Sequence, residues 1–250
     1  MSDFLLVIPA FREHLRLPPF LTELVSTLSG APFTTEIQIV DDGSPPAEQQ
    51  ALLLAVATGR FNQCTVPPPA CLPANHGKGE TILIGWRRAG DSSWLAFVDA
   101  DGSIPASEVL RVFSLALEER AQAKNSCFFA SRILMLGRTV KRRFLRHLCG
   151  RVFATVVANL FKTHVYDSQC GLKVLPRAWF LRVNPLLQGA GLCFDIELLV
   201  ALQHSGASII EVPIDWEDKP GGSVSVLTSG LPMLWGAWLL SRRSRTPTPH

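Results

Sequence analysis

The sequence predicts an α/β fold with a mostly parallel central sheet flanked by helices. Short apolar runs alternate with helical patterns through the first hundred residues. Parallel strands need crossover connections, so this alternation favours a parallel sheet. A chain of 250 residues with 47% hydrophobic and 18% charged residues is also typical of one folded domain with a large core. We expect a single domain over residues 1–241 and a disordered tail over 242–250.

The elements of residues 1–102 follow one another in order. The predicted strands are 4–8, 36–40, a weak one at 62–66, and 94–98, and the predicted helices are 19–28, 47–57 and 79–88. Ligands of open parallel sheets bind at the carboxyl ends of the strands. The loops after these strands are therefore the places where functional residues are expected.

Residues 103–241 combine further elements with a strongly basic segment. We expect a helix at 105–121, a strand at 127–131, an amphipathic helix within 138–162, an irregular piece at 167–173, a helix at 194–204, a strand at 208–214 and a C-terminal helix. No Asp or Glu lies between Glu119 and Asp167, whereas ten Lys and Arg do. This segment predicts an anionic partner: a phosphorylated ligand, a lipid surface or nucleic acid.

The C-terminal helix has features of a membrane-surface segment. The apolar stretch 230–240 contains Pro232, Trp235 and Trp238 and runs into an arginine cluster. It is shorter than the roughly 20 residues of a membrane span, so we expect either an interfacial helix or a helix that closes the core. The N-terminus lacks the basic start of a signal peptide, and the scattered cysteines indicate reduced thiols. These observations predict a cytoplasmic protein.

Acidic pairs follow two of the predicted strands. Asp99 and Asp101 come directly after strand 94–98, where two carboxylates can hold Mg²⁺ or Mn²⁺ against a diphosphate. Asp41 and Asp42 end strand 36–40, where a carboxylate can accept from the base or ribose of a nucleotide or cap a helix that starts near Pro45 and Pro46. Lys78 lies between two glycines at a helix start, a position that favours a phosphate.

These motifs form a recognisable set. The sequence reads IPAFRE at 8–13, VDDGS at 40–44, NHGKG at 75–79 and VDADG at 98–102, followed by ASR at 130–132, DSQCGLK at 167–173, FDIELL at 194–199 and EVPIDW at 211–216. The set resembles the family 2 glycosyltransferases, which have the GT-A fold. The later motifs are similar to the polyprenyl-phosphate branch, most closely to dolichyl-phosphate β-glucosyltransferases and then to dolichyl-phosphate mannose synthases.

The resemblance implies an inverting transfer of a hexose, glucose favoured over mannose, from a donor such as UDP-glucose or GDP-mannose to a polyprenyl phosphate. It implies a nucleotide-binding half at 1–102 and an acceptor-binding half at 103–241. The implied metal ligands for Mg²⁺ or Mn²⁺ are Asp99 and Asp101, with Ser103 where the mannose synthases have Gln. The implied nucleotide-sugar contacts are Pro9, Ala10, Glu13, Asp42, Lys78, Asp99 and Gln169.

The acceptor side carries the remaining predicted residues. Because the acceptor phosphate and the donor diphosphate repel each other, cations must hold them together; the candidates are Arg132, Arg142, Arg143 and Arg146. The predicted catalytic residues are Asp101, Arg132 and Asp195. We expect Asp195 either to act as a base, to orient a sugar hydroxyl, or to cap its helix.

The expected partners are a nucleotide sugar, a polyprenyl phosphate, and either the cytosolic face of a membrane or a small membrane-anchoring protein, without nucleic acid. Two alternatives stay open. The same fold could act on a soluble acceptor, with Asp195 as an obligatory base. The basic helix could also be a nucleic-acid-binding surface on a non-enzymatic scaffold.

Overall fold

The computed structural model describes residues 2–133, 135–141, 155–163, 165–189, 191–219 and 235–242. Within these ranges the strands, in chain order, are β1 (Phe4–Ala10), β2 (Thr35–Asp41), β3 (Gly59–Phe61), β4 (Cys64–Val66), β5 (Ala70–Cys71), β6 (Trp94–Val98), β7 (Cys127–Ser131), β8 (Val140–Lys141), β9 (Leu172–Pro176), β10 (Ile209–Pro213) and β11 (Trp216–Glu217).

The described strands form one large mixed sheet and one small sheet. The large sheet has the order β10-β7-β9-β6-β1-β2-β4-β3, with β5 also pairing with β2. Strands β6, β1 and β2 run parallel to one another, as β10 and β7 do, whereas β9 is antiparallel to both of its neighbours. The small sheet pairs β8 with β11. The predicted mostly parallel α/β architecture is confirmed.

The helices cover both faces of the large sheet. They are α1 (Leu17–Ser29), α2 (Pro46–Ala55), α3 (Lys78–Arg87), α4 (Ala106–Ala121), α5 (helical over 155–161), α6 (Arg177–Val183), α7 (Phe194–His204) and α8 (helical over 235–242). Side chains of β1 alternate between two apolar cores. One core contains residues of α1 and α4, and the other contains residues of α3, α6 and α7.

Strand β9 and helix α6 were not predicted. The sequence indicated an irregular piece at 167–173, yet Leu172 and Lys173 begin a fully buried strand inserted between β6 and β7. A lysine in this strand interrupts the apolar pattern that identifies buried strands. The pairing partners of β9 come from distant parts of the chain, so local periodicity could not reveal it.

The basic segment differs from its prediction at its start. Residues 138–141 are not helical: the Thr139 backbone N–H donates to Asp215 at 2.6 Å, and Val140 and Lys141 form β8. Residues 155–161 are helical as expected. Residues 142–154, and with them Arg142, Arg143 and Arg146, lie outside the described residues.

Helix α8 packs against the core through one side. Ala237 is fully buried in a small apolar cluster with Val157 of α5 and with Ile196 and Val200 of α7. Arg242, the first residue of the predicted tail, is still helical, and residues 243–250 lie outside the described ranges. Among the described helices, none is both long and apolar enough to cross a membrane.

Candidate active site

The acidic motif after β6 packs closely against the loop that leads into β9. The Asp99 backbone N–H donates to the Gly171 carbonyl at 2.9 Å. A Cβ atom added to Gly171 would lie 2.1 Å from Asp99 Oδ2, so only glycine leaves room for the carboxylate in its present position. This contact places the motif at 98–102 next to the motif at 167–173. Two motifs that belong to one functional site are expected to lie together in this way.

A row of alternating charges extends from the acidic motif into the protein. The Lys78 Nζ atom lies 2.8 Å from Asp99 Oδ1 and 3.4 Å from Asp195 Oδ2. The other Asp195 oxygen lies 3.1 Å from Lys173 Nζ. Asp99 keeps 38% of its side-chain surface exposed, whereas Lys173 has none. We call these four residues the charge row.

The charge row shifts the pKa values of its members. Burial alone would lower the pKa of Lys78, but the carboxylates of Asp195 and Asp99 raise it above its usual value. Burial alone would raise the pKa of Asp195, yet Lys78 and Lys173 hold it below its usual value. Partial burial, with the nearby charge of Asp101, raises the pKa of Asp99 against the opposing effect of Lys78. Asp195 is therefore an ionised counter-ion and a weak proton acceptor.

Asp195 does not serve as a helix cap. The N-cap position of α7 is Cys193, and no side-chain hydrogen bond caps this helix. The Asp195 oxygens point instead to two lysines from other elements. Of the roles considered for Asp195, the capping role does not match this structure.

Asp101 and Glu13 lie beside the charge row. Asp101 Oδ1 accepts a hydrogen bond from the Ser103 backbone N–H at 2.9 Å. Glu13 is buried and forms a bidentate ion pair with Arg16. Burial raises the pKa of Glu13 despite this pair, and the charges of Asp101 and Asp99 contribute to the rise. The three carboxyl groups thus share one electrostatic environment.

Asp42 holds the loop that precedes Lys78. Its two oxygens accept the backbone N–H groups of His76 at 2.7 Å and Gly77 at 2.9 Å. Its own N–H donates to the carbonyl of Ala10, at the end of β1 beside Pro9, at 2.7 Å. Asp42 therefore joins two of the predicted site segments and positions the start of α3.

Asp41 has a structural role. One of its oxygens accepts the Ser44 backbone N–H at 2.9 Å, and the other accepts the Ser44 hydroxyl at 2.6 Å. The helix-cap alternative for this pair does not match the structure, because the N-cap position of α2 is Pro45 and no side chain caps that helix. Asp41 instead closes a turn with Ser44, and the neighbouring Asp42 binds the Lys78 loop.

The predicted acceptor arginine is held by a second set of contacts. The Arg132 guanidinium donates to both oxygens of Asp167, at 2.7 and 2.8 Å, and lies over the Trp216 ring at 5.5 Å from its centroid. Glu211 in turn accepts the backbone N–H groups of Tyr166 and Asp167 at 2.9 and 2.7 Å. Arg132 strongly lowers the pKa of Asp167, although burial opposes this. These contacts fix the orientation of Arg132.

The residues predicted for the donor and for the acceptor are joined by the loop 167–171, which carries both Asp167, the partner of Arg132, and Gly171, which contacts Asp99. The charge of Asp99 contributes to a raised pKa of Arg132, so the two groups interact electrostatically. Gln169, in the same loop as Asp167, has a buried Nε2 atom without a hydrogen-bond partner among the described residues. An amide in this position can donate to a bound ligand.

Three site residues were missed from the sequence. Lys173, Asp167 and Glu211 lie within the motifs at 167–173 and 211–216, but no role was assigned to their side chains. The sequence feature that could have identified them is a charged residue within or beside an apolar, strand-like run. Only the three-dimensional pairing shows which charges they neutralise.

The acidic motif can hold a divalent cation together with a ligand. No group of three or more His, Cys, Asp or Glu converges on one point in the part of the chain that the structure describes. Magnesium in phosphate-binding sites is commonly held by one or two carboxylates and by phosphate oxygens. Asp99 and Asp101 fit this mode of binding, in which the ligand completes the metal site.

Solved structures share this architecture. Glucosyl-3-phosphoglycerate synthase from Mycobacterium tuberculosis, crystallised with uridine diphosphate, superimposes with a TM-score of 0.67 at 14% identity, over 99% of this chain and 82% of that one. The same enzyme with Mn²⁺, uridine diphosphate and phosphoglyceric acid gives a TM-score of 0.68 at 15% identity, over 99% and 80% of the two chains. At this identity the likeness shows the fold, which is the predicted GT-A fold.

Sequence comparison gives the family. Dolichyl-phosphate β-glucosyltransferases from Dictyostelium discoideum and Saccharomyces cerevisiae are 26% and 28% identical, each over 91% of this chain and 70% of the relative. The human dolichyl-phosphate β-glucosyltransferase is 27% identical over 94% of this chain and 77% of its own length. The model of glycosyl transferase family 2 matches residues 5–129, which contain β2, β6, the acidic motif and all but the first residue of β1. With the fold and these strand-end motifs in agreement, the chain belongs to glycosyl transferase family 2.

Proposed function

We propose that this glycosyltransferase moves glucose from a nucleotide diphosphate sugar to a polyprenyl phosphate with inversion at the anomeric carbon. The observation that carries the proposal is that one loop joins the charge row to the Arg132–Asp167 pair: Gly171 contacts Asp99, and Asp167 of the same loop binds Arg132. One side offers carboxylates and a lysine for a nucleotide sugar, and the other offers an oriented arginine for a phosphate. The names of the relatives support glucose as the transferred sugar and a polyprenyl phosphate such as dolichyl phosphate as the acceptor.

The donor is proposed to bind at the carboxyl ends of β1, β2 and β6. Pro9, Ala10, Glu13 and Asp42 border the nucleoside, while Lys78 and Gln169 contact the phosphates and sugar. Asp99 and Asp101 hold Mg²⁺ or Mn²⁺, which neutralises charge on the leaving diphosphate when bound. A structural neighbour with the same fold was crystallised with Mn²⁺ and uridine diphosphate, which supports a divalent metal in general.

The acceptor needs orientation more than deprotonation. A phosphate monoester is largely anionic near neutral pH, so its oxygen can attack the anomeric carbon without a strong base. The carbon–oxygen bond to the diphosphate breaks, and its electron pair leaves with the nucleoside diphosphate. Arg132 holds the acceptor phosphate, and Arg142, Arg143 and Arg146 are proposed to assist. Asp195, whose pKa is lowered, acts by fixing Lys78.

We further propose that the whole of residues 1–241 acts as one domain at the cytosolic face of a membrane. Residues 1–102 supply most of the donor site, and residues 103–241 supply the acceptor site together with Asp195. Helix α8 exposes Trp235 and Trp238 and carries Arg242, a combination that suits a membrane interface. A small membrane-anchoring protein is the alternative partner, and nucleic acid is not an expected one.

A transfer assay tests the proposal. Radiolabelled UDP-glucose and GDP-mannose are offered with Mg²⁺ to a short polyprenyl phosphate in detergent and, separately, to 3-phosphoglycerate as a soluble phosphate acceptor. We expect label from UDP-glucose in the lipid phase, reduced at least 100-fold by Asp101→Asn and Arg132→Ala. Asp91→Asn, at an exposed surface carboxylate, is the matched control and should retain activity.

The other outcomes are informative. Label only on 3-phosphoglycerate would replace the lipid acceptor with a soluble one. Label from GDP-mannose alone would replace glucose with mannose. Absence of donor binding and of transfer in every arm would refute the enzymatic function.

A further inference from the structure

Lys173 is a fully buried cation in the centre of the sheet. It lies on β9 directly opposite Phe97 of β6 and Phe129 of β7. Its ammonium lies 5.9 and 5.1 Å from the centroids of these two rings, and none of its side chain is exposed. Burying an ammonium group is costly unless anions and acceptors surround it. A neutral side chain of the same length would fill this space without that cost.

The ammonium of Lys173 faces the inner end of the charge row. It donates to the Cys170 carbonyl and lies 3.1 Å from Asp195 Oδ1. Asp195 is itself only 3% exposed at its side chain, and its second oxygen faces Lys78 at 3.4 Å. Lys78 lies closer, at 2.8 Å, to the more exposed Asp99. The charge row thus links the inaccessible Lys173 to the partly exposed Asp99, which a ligand can reach.

We propose that Lys173 is a positioning residue of the donor site, which acts through Asp195 on Lys78 and on Asp99. This inference rests on the proposed function, because it assigns the ligand of Asp99 as a nucleotide sugar. Lys173 holds the Asp195 carboxylate in place and neutralises part of the negative charge of Asp195. Lys78 is then drawn mainly to Asp99 and holds that carboxylate in place beside Asp101.

Removal of the Lys173 charge should disturb the outer end of the row. Asp195 would keep Lys78 as its cationic partner among the described residues, so the ammonium of Lys78 would move towards Asp195 and away from Asp99. Asp99 would lose the contact that orients it. The expected result is weaker donor binding, with acceptor binding unchanged because the Arg132–Asp167 pair does not involve Lys173 directly.

The test is a double-mutant cycle on donor binding. The dissociation constant of UDP-glucose is measured by calorimetry for wild type, Lys173→Met, Asp195→Asn and the double variant, and the KM for donor and acceptor is measured alongside. We expect each single variant to weaken donor binding about 10-fold, a typical effect of groups that orient direct ligands. The double variant, which carries neither buried charge, should be within about 2-fold of Asp195→Asn, because Lys173 acts only through Asp195.

A matched control removes a different buried carboxylate. Glu108 is buried on α4 and binds Arg111 and Arg138, away from the charge row. Glu108→Gln should lower thermal stability and leave the donor dissociation constant unchanged. This control distinguishes the loss of a specific contact from a general effect of a broken buried ion pair.

Each outcome decides the proposal. Unchanged donor binding in Lys173→Met would overturn it, as would additive effects in the double variant or an equal loss of acceptor affinity. If Lys173→Met does not fold, the double variant is compared with Asp195→Asn instead. A UDP-glucose dissociation constant of the double variant well above that of Asp195→Asn would show that Lys173 acts by a route other than Asp195, which would overturn the proposal. A wild-type protein that binds no nucleotide sugar would overturn this inference together with the proposed function, whereas normal wild-type binding isolates the role of Lys173.

Discussion

At the residue scale, Gly171 sets the position of the acidic motif. Its missing side chain leaves the space that Asp99 Oδ2 occupies, because an added Cβ atom would lie 2.1 Å from that oxygen. The carbonyl of Gly171 also accepts the Asp99 backbone N–H. One glycine thus fixes both the backbone and the side chain of a proposed metal ligand.

Gly171→Ala should displace the Asp99 carboxylate and lower kcat/KM for the nucleotide sugar by about 100-fold, the effect of a misplacement near 1 Å. Steady-state kinetics with varied donor concentration measure this loss. Gly90→Ala is the matched control, because nothing lies within 4 Å of a Cβ atom at that position. Equal activity of the two variants would show that Asp99 adjusts without loss.

The Arg132–Asp167 pair makes a pH-dependent contribution to stability. Because the pKa of Asp167 is lowered in the folded protein, its stabilising effect is fully present above its unfolded value near 3.8 and is lost as the pH falls below that value. Asp167→Asn should lower the free energy of unfolding by about 3 kcal/mol, since it leaves a mostly buried arginine without its bidentate partner.

Urea unfolding of wild type and Asp167→Asn at several pH values checks this prediction. The difference in free energy should be constant between pH 8 and pH 5 and should shrink only below about pH 4. A difference that decreased between pH 7 and pH 5 would show that Asp167 titrates near neutral pH, contrary to its tight pairing with Arg132.

At the element scale, α8 separates a buried side from an exposed aromatic side. Ala237 is fully buried, whereas Trp235 and Trp238 are 62% and 38% exposed. The two rings stack at 4.8 Å, and the Arg242 guanidinium lies 4.6 Å from the Trp238 ring centroid. Aromatic rings beside a cation are typical of segments at the membrane–water interface. The core-closing alternative therefore describes the Ala237 side of α8, and the exposed tryptophans leave a surface on which the proposed membrane docking can be tested.

Replacement of both Trp235 and Trp238 by Ala should weaken binding to vesicles that contain anionic lipid by about tenfold, because the apolar surface that enters the interface is lost. Flotation of the protein with such vesicles measures the bound fraction. Leu54→Ala removes a side chain that is 81% exposed on α2 and should bind like wild type. Unchanged binding of the double tryptophan variant would exclude α8 as the docking element.

At the scale of the whole molecule, residues from distant elements neutralise part of the basic segment. Arg132 pairs with Asp167, and Arg138 pairs with Glu108 of α4 at 2.7 Å. The sequence showed a run of cations without an acidic residue among them. In the fold, Glu108, which precedes this run in the chain, and Asp167, which follows it, pair with two of its arginines. The local field is therefore weaker than the charge count predicts, and the arginines that are paired have fixed orientations.

Donor binding should also stabilise the entire domain. A ligand at 100 times its dissociation constant adds about 2.7 kcal/mol to the free energy of unfolding, which for a domain of this size raises Tm by about 5 to 10 °C. We expect this rise with UDP-glucose and Mg²⁺, its loss on chelation with EDTA, and its absence in Asp101→Asn. A rise that survives EDTA would mean that the donor binds without a metal.

Much of the donor side could be predicted from the sequence. Strands β1, β6 and β7 are mainly apolar runs, and β2 alternates polar and apolar residues before a short apolar end. The acidic pairs lie at or directly after the ends of β2 and β6, adjacent in the chain to these patterns. Strand ends of a parallel sheet converge, so Asp42, Asp99 and Asp101 could be assigned to one edge before the structure was known. Lys78 followed from the glycines around it at a helix start.

The sequence by itself determined the α/β architecture and the acidic edge of the sheet, because both depend on local patterns of apolar and charged residues. Only the tertiary structure decided the insertion of β9, the pairing of Asp195 with Lys78 and Lys173, and the pairing of Arg132 with Asp167. These contacts join segments far apart in the chain, and an ion pair between them leaves no periodic pattern in either segment. The physical reason is that a buried charge depends on what surrounds it in space, which the order of residues does not state.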